Sequence, residues 1–261
     1  MIYKSRFPIL NFDDNKKAKI TVQKTDGKEH IGVNLGVICF DKESCERLAK
    51  EYPSRIINIF KGCGITPLNI YVVNFNGTEI ILHPGVVSAP LAAAVMEALA
   101  TFGCKKVIAV GSAGVLKPEI APGHLIIPTS AVRQEGTSYH YVKPSKYIKY
   151  SPNIIKKMCA YLKEKNLPYV CGKTWTTDAL FRETNDLIDL REKEGCLCVE
   201  MENAALGAVA QFHNIKFGQI LYGADCLAGD MWDRRAWADK DIKQRIRFEL
   251  LKLAMEMVTR I

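Results

Sequence analysis

No stretch of the sequence approaches the roughly 20 consecutive apolar residues that a helix needs to span a bilayer, and the N-terminal MIYKSRFPIL lacks the long apolar core of a secretory leader. A soluble, cytoplasmic protein without a membrane partner is the expectation. Metal-type ligand spacing is missing as well. The nine cysteines are an odd number at irregular positions, the closest pair being Cys196 and Cys198, and no CxxC or Cys/His pair frames a zinc site. That usage fits a reducing compartment, and neither a metal nor an organic cofactor is expected. Linkers rich in Pro, Gly or Ser are absent, and so are internal repeats. The chain therefore reads as one domain, 1–261, in which residues 1–30 form an N-terminal extension suited to a subunit interface. The net charge is +8, yet the Lys and Arg are scattered and form no dense basic block interleaved with aromatics. This argues against a nucleic-acid partner and leaves mild steering of anions.

What the sequence does carry is an alternation of strand-like and helical runs. IGVNLGVICF, from residue 31, reads as a buried strand and DKESCERLAKEY as the helix after it. NIYVVNF and TEIILHPG, separated by Asn76 and Gly77, predict a hairpin. APLAAAVMEALATFG predicts an Ala-rich helix stopped by Gly103, and KKVIAVGSAG a strand running into a glycine loop. HLIIPTSAV and YVCGKTWTT read as strands, 153–165 and 183–193 as helices, ENAALGAVAQFH as a helix, and KFGQILYGAD as a strand ending in an acid. The closing helix aligns Ile242, Ile246, Leu250, Leu253, Met257 and Ile261 on one stripe, with Lys243, Arg247 and Arg260 among its solvated positions. The expected class is α/β, a single domain with a central mixed twisted β-sheet flanked by helices.

In such sheets ligands collect where loops leave the carboxyl ends of strands. Three polar groups fall there. In Gly111-Ser112-Ala113-Gly114, two glycines allow the backbone to turn so that N–H groups face an anion, with the Ser112 hydroxyl as a further donor; the plain alternative is a tight turn. Glu200-Met201-Glu202 stands before a run of small apolar residues. If the strand persists, alternation puts both carboxylates on one side and Met201 on the other; if the helix begins here, the acids cap it. Capping accounts for one glutamate, whereas a carboxylate accepting from vicinal hydroxyls holds a ribose and stabilises an oxocarbenium-like sugar. Asp225 ends ILYGAD, where it either donates a proton to a leaving base or starts a turn.

Together these residues resemble the nucleoside phosphorylase family that includes uridine phosphorylase, hexameric bacterial purine nucleoside phosphorylase and the methylthioadenosine nucleosidases. The likeness runs over about residues 30–259 and is strongest in VIAVGSAGVLKPEIAPGHLIIPTSAVRQEGTSYHY (107–141) and VEMENAAL (199–206). It implies that Gly111 and Ser112 bind phosphate, and that Glu202 grips the ribose hydroxyls with Met201 against the sugar and Glu200 in support. Asp225 would be the catalytic acid, acting at a purine N7. TTDALFRE (176–183) would line the base with Thr177, Leu180, Phe181 and Arg182. The implied reaction is phosphorolysis of a nucleoside, purine favoured over uridine, to free base and pentose 1-phosphate. Phosphate is the co-substrate, no cofactor is used, and the assembly is a homo-oligomer.

The chain departs from the family pattern at three places. Ala109 stands where the phosphorylases usually carry an arginine, and CFDKESCER, with Arg47 its only arginine, replaces their Gly-Asp-Pro-x-Arg loop. The N-terminal histidine of hexameric members is absent, leaving Arg6 as the nearest polar residue. Arg133, Arg182, Arg234 and Arg235 are the arginines of other loops, and GDMWDRRAW after Asp225 reads as a Trp-rich lid. A hydrolase of the same fold, with water as nucleophile, and a non-catalytic nucleoside-binding protein are the alternatives.

Overall fold

A computed structural model describes residues 2–22, 31–59, 68–235 and 240–261, and all of their side chains except those of residues 58, 59, 68 and 240–242. The rest of the N-terminal extension, the Ile242 side chain and the end of GDMWDRRAW lie outside the described residues.

The N-terminal segment forms a small antiparallel ribbon of β1 (Ile2–Tyr3) and β2 (Phe12–Asp13). The apolar runs build the main sheet. Its strands are β3 (Leu35–Cys39), β4 (Ser54–Ile59), β5 (Leu68–Phe75), β6 (Thr78–Pro84), β7 (Lys106–Val115), β8 (Leu125–Gln134), β9 (Tyr147–Lys149), β10 (Tyr169–Thr177), β11 (Cys196–Glu200) and β12 (Lys216–Cys226). They lie in the order β11-β10-β8-β12-β7-β3-β6-β5-β4, with β9 paired on β8. The central β6, β3, β7 and β12 are parallel, so their carboxyl ends share one edge. Both faces of these strands are covered, which is why they read as continuous apolar runs rather than alternating ones.

The helices are α1 (Lys42–Glu51), α2 (Ala89–Phe102), α3 (Pro152–Glu164), α4 (Asn185–Lys193), α5 (Asn203–Phe212) and α6 (Lys240–Arg260). On one face α1, α3 and α6 bury Leu48, Met158, Leu162, Phe248 and Leu251 against Val37, Ile108 and Ile220. On the other, α2 and α5 pack Met96, Leu99, Phe102 and Leu206 against Ile38, Val107 and Ala109. The Ala-rich composition of α2 and α5 lets these two helices approach each other and the sheet closely. The hairpin at Asn76-Gly77 forms with both residues at positive φ, 50° and 85°, the turn that matches strand twist. Gly103 closes α2 in the left-handed region at φ 105°.

Two expectations change. The GSAG segment is not a turn: β7 runs through it to Val115, and neither Gly111 nor Gly114 adopts positive φ. The far end of β7 instead pairs antiparallel with β11, Val115 facing Cys198 and Gly114 facing Val199. This closes β7, β12, β8, β10 and β11 into a ring around Ala113, Ile126, Leu221 and Cys226. The second change concerns α6. Its stripe is buried at Leu250, Leu253, Met257 and Ile261, but Arg247 is half-buried against the sheet edge rather than solvated.

Candidate functional site

In Glu200-Met201-Glu202 one acid caps the helix that follows and the other does not. β11 stops at Glu200, α5 starts at Asn203, and two linking residues send the acids to different tasks. Glu200 is opposite Thr176 on the parallel strand β10. Its Oε1 accepts from the hydroxyls of Thr176 (2.6 Å) and Thr174 (3.3 Å), and its Oε2 from the N–H groups of Glu202 (2.8 Å) and Asn203 (2.5 Å). Thr176 Oγ1 in turn accepts from the Ala204 N–H at 3.0 Å. Glu200 thus supplies acceptors to the first turn of α5 and ties it to β10, as buried polar groups require.

Glu202 occupies the N-cap position of α5 without capping it. Its carboxylate crosses to the β6–α2 loop, where Oε1 accepts from the Ser88 N–H at 2.9 Å. Only 6% of Glu202 is exposed. Burial raises both carboxyls above the ordinary range; in Glu202 the neighbouring charge of Glu200 adds to this, while in Glu200 its four donors oppose it. Ser88 holds its donor in place at φ 145°, a conformation that residues with a Cβ rarely adopt. Nothing in the sequence around Ser88 signals that role.

Asp225 sits one residue before the end of β12. A two-way bridge, Cys226 N–H to Asp233 O (2.8 Å) and Asp233 N–H to Cys226 O (2.9 Å), folds the following segment back. Trp232 is thereby brought over the acid, and its indole N–H donates to Asp225 Oδ2 at 2.6 Å. The other oxygen faces the glycine strand: a Cβ on Gly114 would lie 3.4 Å from Asp225 Oδ1 and 2.4 Å from Leu227 Cδ1. Glycine is needed at 114 for this close approach, not for a turn. Glu183, at the end of the turn after β10, is pushed up to about 7, first by burial and then by the charge of Asp225. Two acids therefore meet here, Asp225 at its strand end and Glu183 from the turn after β10.

Of the residues expected around the base, Thr177 is buried, its hydroxyl accepting from the Ala179 N–H at 3.2 Å. Leu180 and Arg182 lie on an exposed turn with Phe181, whose ring is 93% exposed. Met201 is half-buried beside the two glutamates.

On the anion side, Ser112 is exposed at the carboxyl end of β7 and Gly111 is buried. Phe40, which follows β3, lies in a row between two glycines: a Cβ would come within 2.5 Å of its ring at Gly85 and 3.0 Å at Gly111. The phenyl ring thus fills space that its neighbours leave open. Of the arginines of the other loops, Arg133, Arg234 and Arg235 are engaged elsewhere, while Arg182 lies on the exposed turn after β10. Arg133 is buried, bonding Ser138 Oγ (2.8 Å), Lys143 O (2.8 Å) and Ser145 Oγ (2.9 Å), so it fixes its own loop. Arg235 bonds the carbonyls of Pro118 and Ile120, Arg234 lies over Trp232, and Arg47 pairs with Glu51. Arg247 of α6 donates to the hydroxyl of Tyr222, the register partner of Ser112, at 3.2 Å. Among the described residues, no cluster of three or more His, Cys, Asp or Glu is arranged to hold a metal, and no helix is long and apolar enough to cross a membrane.

Fold and site together define an α/β protein whose acidic side chains gather at the carboxyl edge of a mixed, partly closed sheet. The chain belongs to the phosphorylase superfamily, whose family model matches residues 34–258. An uncharacterized protein of Acanthamoeba polyphaga mimivirus is 28% identical over 224 residues, covering 81% of this chain and 85% of that one. Among solved structures, uridine phosphorylase from Vibrio fischeri superposes with a TM-score of 0.74 at 20% identity, covering 92% of this chain and 98% of its own. The 5'-methylthioadenosine/S-adenosyl homocysteine nucleosidase of Campylobacter jejuni gives 0.71 at 17% identity, covering 88% and 100%. At these identities the structural likeness establishes the fold.

Proposed function

We propose that the protein cleaves the N-glycosidic bond of a nucleoside by phosphorolysis, with purines favoured over uridine. The observation that carries this reading is the carboxylate of Glu202. A buried acid met by the backbone N–H groups of Ser88 and Met201 and not spent on capping its helix keeps lone pairs suited to a diol, and vicinal ribose hydroxyls supply that pair of donors. In the proposed reaction a phosphate oxygen near Ser112 bonds to the anomeric carbon as the bond to the base breaks, and the bonding electrons leave with the base. Asp225 protonates or hydrogen-bonds the purine N7, so the base does not leave as a free anion. The negative charge of Glu202 stabilises the cationic sugar between these events. Thr177 and the turn carrying Leu180, Phe181 and Arg182 flank the base, and Met201 packs on the sugar.

A homo-oligomer suits this reading. Phe7 (60% exposed) and Ile9 (43%) belong to the N-terminal segment, and Ile9 lies 3.5 Å from the Cβ position of Gly136. The Gly136 N–H bonds Asp178, which leads into exposed Leu180 and Phe181. A second copy of the chain would cover them, and light scattering on the purified protein tests this. The setting we propose is the cytoplasm, and no cofactor enters the scheme.

Hydrolysis is the second reading, favoured by the phenyl ring of Phe40 against Gly111 and by the buried methyl of Ala109. An apolar wall does not repay the desolvation of a phosphate dianion. A nucleoside panel assayed for free base with and without phosphate separates the two. Release that requires phosphate and yields pentose 1-phosphate supports phosphorolysis; equal rates in its absence support water as nucleophile; no release from any nucleoside defeats both.

A further inference from the structure

We infer that the guanidinium serving the anion at Ser112 comes from the C-terminal helix, as Arg247, acting with the hydroxyls of Tyr222 and Ser112. This deepens the phosphorolytic reading and rests on it. The chain lacks the arginines expected at position 109 and after β3, and Arg133, Arg234 and Arg235 are engaged elsewhere, yet α6 delivers one charge to the same edge of the sheet.

The geometry is specific. Tyr222 and Ser112 are register partners on the adjacent parallel strands β12 and β7, so their side chains leave the sheet on the same side. Arg247 Nε donates to the Tyr222 hydroxyl at 3.2 Å. Arginine has only donors, so the tyrosine oxygen accepts there, and the Ser112 hydroxyl lies within hydrogen-bond reach of the same oxygen, favouring its charged form as Arg247 does. Ser112 is exposed, so an anion at this edge can meet its hydroxyl together with the guanidinium of Arg247. Burial pushes the Tyr222 phenol up, which keeps it a donor.

A purely structural role for Arg247 would be to pin Asp41 at the start of α1. That task is already done. Asp41 Oδ2 accepts from the Ser44 N–H at 3.0 Å and from Gln244 Nε2 at 2.9 Å, and Gln244, one turn before Arg247, also reaches Ser44 Oγ at 3.1 Å. Arg247 approaches Asp41 Oδ1 only through Nη1 at 3.4 Å, a long single contact rather than the paired bonds a guanidinium makes with a committed carboxylate. Its side chain remains 41% exposed, within reach of a ligand at the sheet edge. Asp41 acts as the counter-charge that phosphate displaces.

The test uses the full chain and inorganic phosphate. Arg247→Gln should raise KM for phosphate about tenfold to a hundredfold, the range of one charge-assisted contact, and leave KM for the nucleoside within about twofold, with Arg247→Lys intermediate. Asp41→Asn keeps the cap of α1 and should hold or lower KM for phosphate. An unchanged phosphate KM in Arg247→Gln, or an Asp41→Asn variant as impaired as Arg247→Gln, overturns the inference. Phosphate-induced shifts of Tm, measured without nucleoside, separate it from the reading beneath it. If cleavage ignores phosphate but the wild type gains a phosphate shift that Arg247→Gln loses, phosphorolysis fails and the anion site stands. If the wild type shows no shift and no phosphate dependence, both fall.

Discussion

The Ser88 N–H donates to Oε1 of Glu202 at 2.9 Å, joining the loop before α2 to the start of α5 across 114 positions of sequence. Ser88 makes this contact at φ 145°. Such a backbone costs a residue with a Cβ about 1–3 kcal/mol, and it persists because the helix start and the buried acid fix both ends. The strain is located at the carboxylate proposed to hold the sugar.

Ser88→Gly should therefore stabilise the protein. Relief of the strain outweighs the roughly 0.5–1 kcal/mol that a freer unfolded chain costs and the few tenths of a kcal/mol lost with the Ser88 hydroxyl that caps α2 at the Leu91 N–H, giving a net gain of up to about 1 kcal/mol. Urea unfolding measures it, and nucleoside affinity should be retained because the N–H remains. Ser88→Pro removes that N–H and fixes φ near −65°, so it should lose affinity or fold. A glycine variant less stable than the wild type would show that no strain is stored there.

Substituting the two glutamates should have opposite consequences. Glu200→Ala leaves the hydroxyls of Thr174 and Thr176 and the amides of Glu202 and Asn203 without their buried acceptor, a loss of about 3 kcal/mol or more. Glu202→Ala removes an acid whose charge is opposed by burial and by its neighbour, so stability near neutral pH should hold while nucleoside binding disappears. Chemical denaturation and calorimetric titration of the same two variants decide the matter. Equal stability losses would erase the proposed division of labour.

How much of this was legible beforehand depends on the range of the interaction. The central strands, the Asn76-Gly77 hairpin and the end of α2 at Gly103 follow from local rules of burial and turn chemistry, and they lie where the sequence places them. The acids at 200, 202 and 225 could be singled out because polar residues at the ends of apolar strands are costly without a task. Ser88, Trp232 and Arg247 could not be assigned their contacts in the same way. Each reaches the site through a chain reversal or a distant helix, and Arg247 in particular follows the periodicity of a solvated helix position. The glycines of GSAG were visible, but their reason was not: Gly111 and Gly114 make room for Phe40 and Leu227 across strands.

Stability should fall as pH rises from about 5 to 8. Glu183, raised from 4.5 to about 7 by burial and then by Asp225, holds its proton more tightly folded than unfolded. Its contribution is complete below the unfolded value and is lost as pH climbs through about 7. Glu200 and Glu202 are shifted in the same direction and add to the slope. Glu183→Gln should flatten the profile, with a higher Tm than the wild type at pH 8 and little difference at pH 5. Parallel profiles for the two proteins would contradict the burial of this acid beside Asp225.

Trp232 is expected to act as a positioning residue for Asp225. The bridge between Cys226 and Asp233 fixes the turn, the indole N–H holds Oδ2 at 2.6 Å, and Gly114 leaves room for Oδ1 on the other side. With one oxygen tethered, the other keeps a single direction; without the tether the carboxyl rotates, and misorientation of this kind costs catalysis more than binding. Trp232→Phe should lower kcat for a purine nucleoside about tenfold, the size of one lost hydrogen bond, and barely alter KM. Because a lid residue can slow turnover for other reasons, the double variant carries the weight. In an Asp225→Asn background, where no proton can be passed, Trp232→Phe should cost little more, since residues acting through one another are not additive. A full tenfold loss in that background would mean that the indole works independently of the acid it touches.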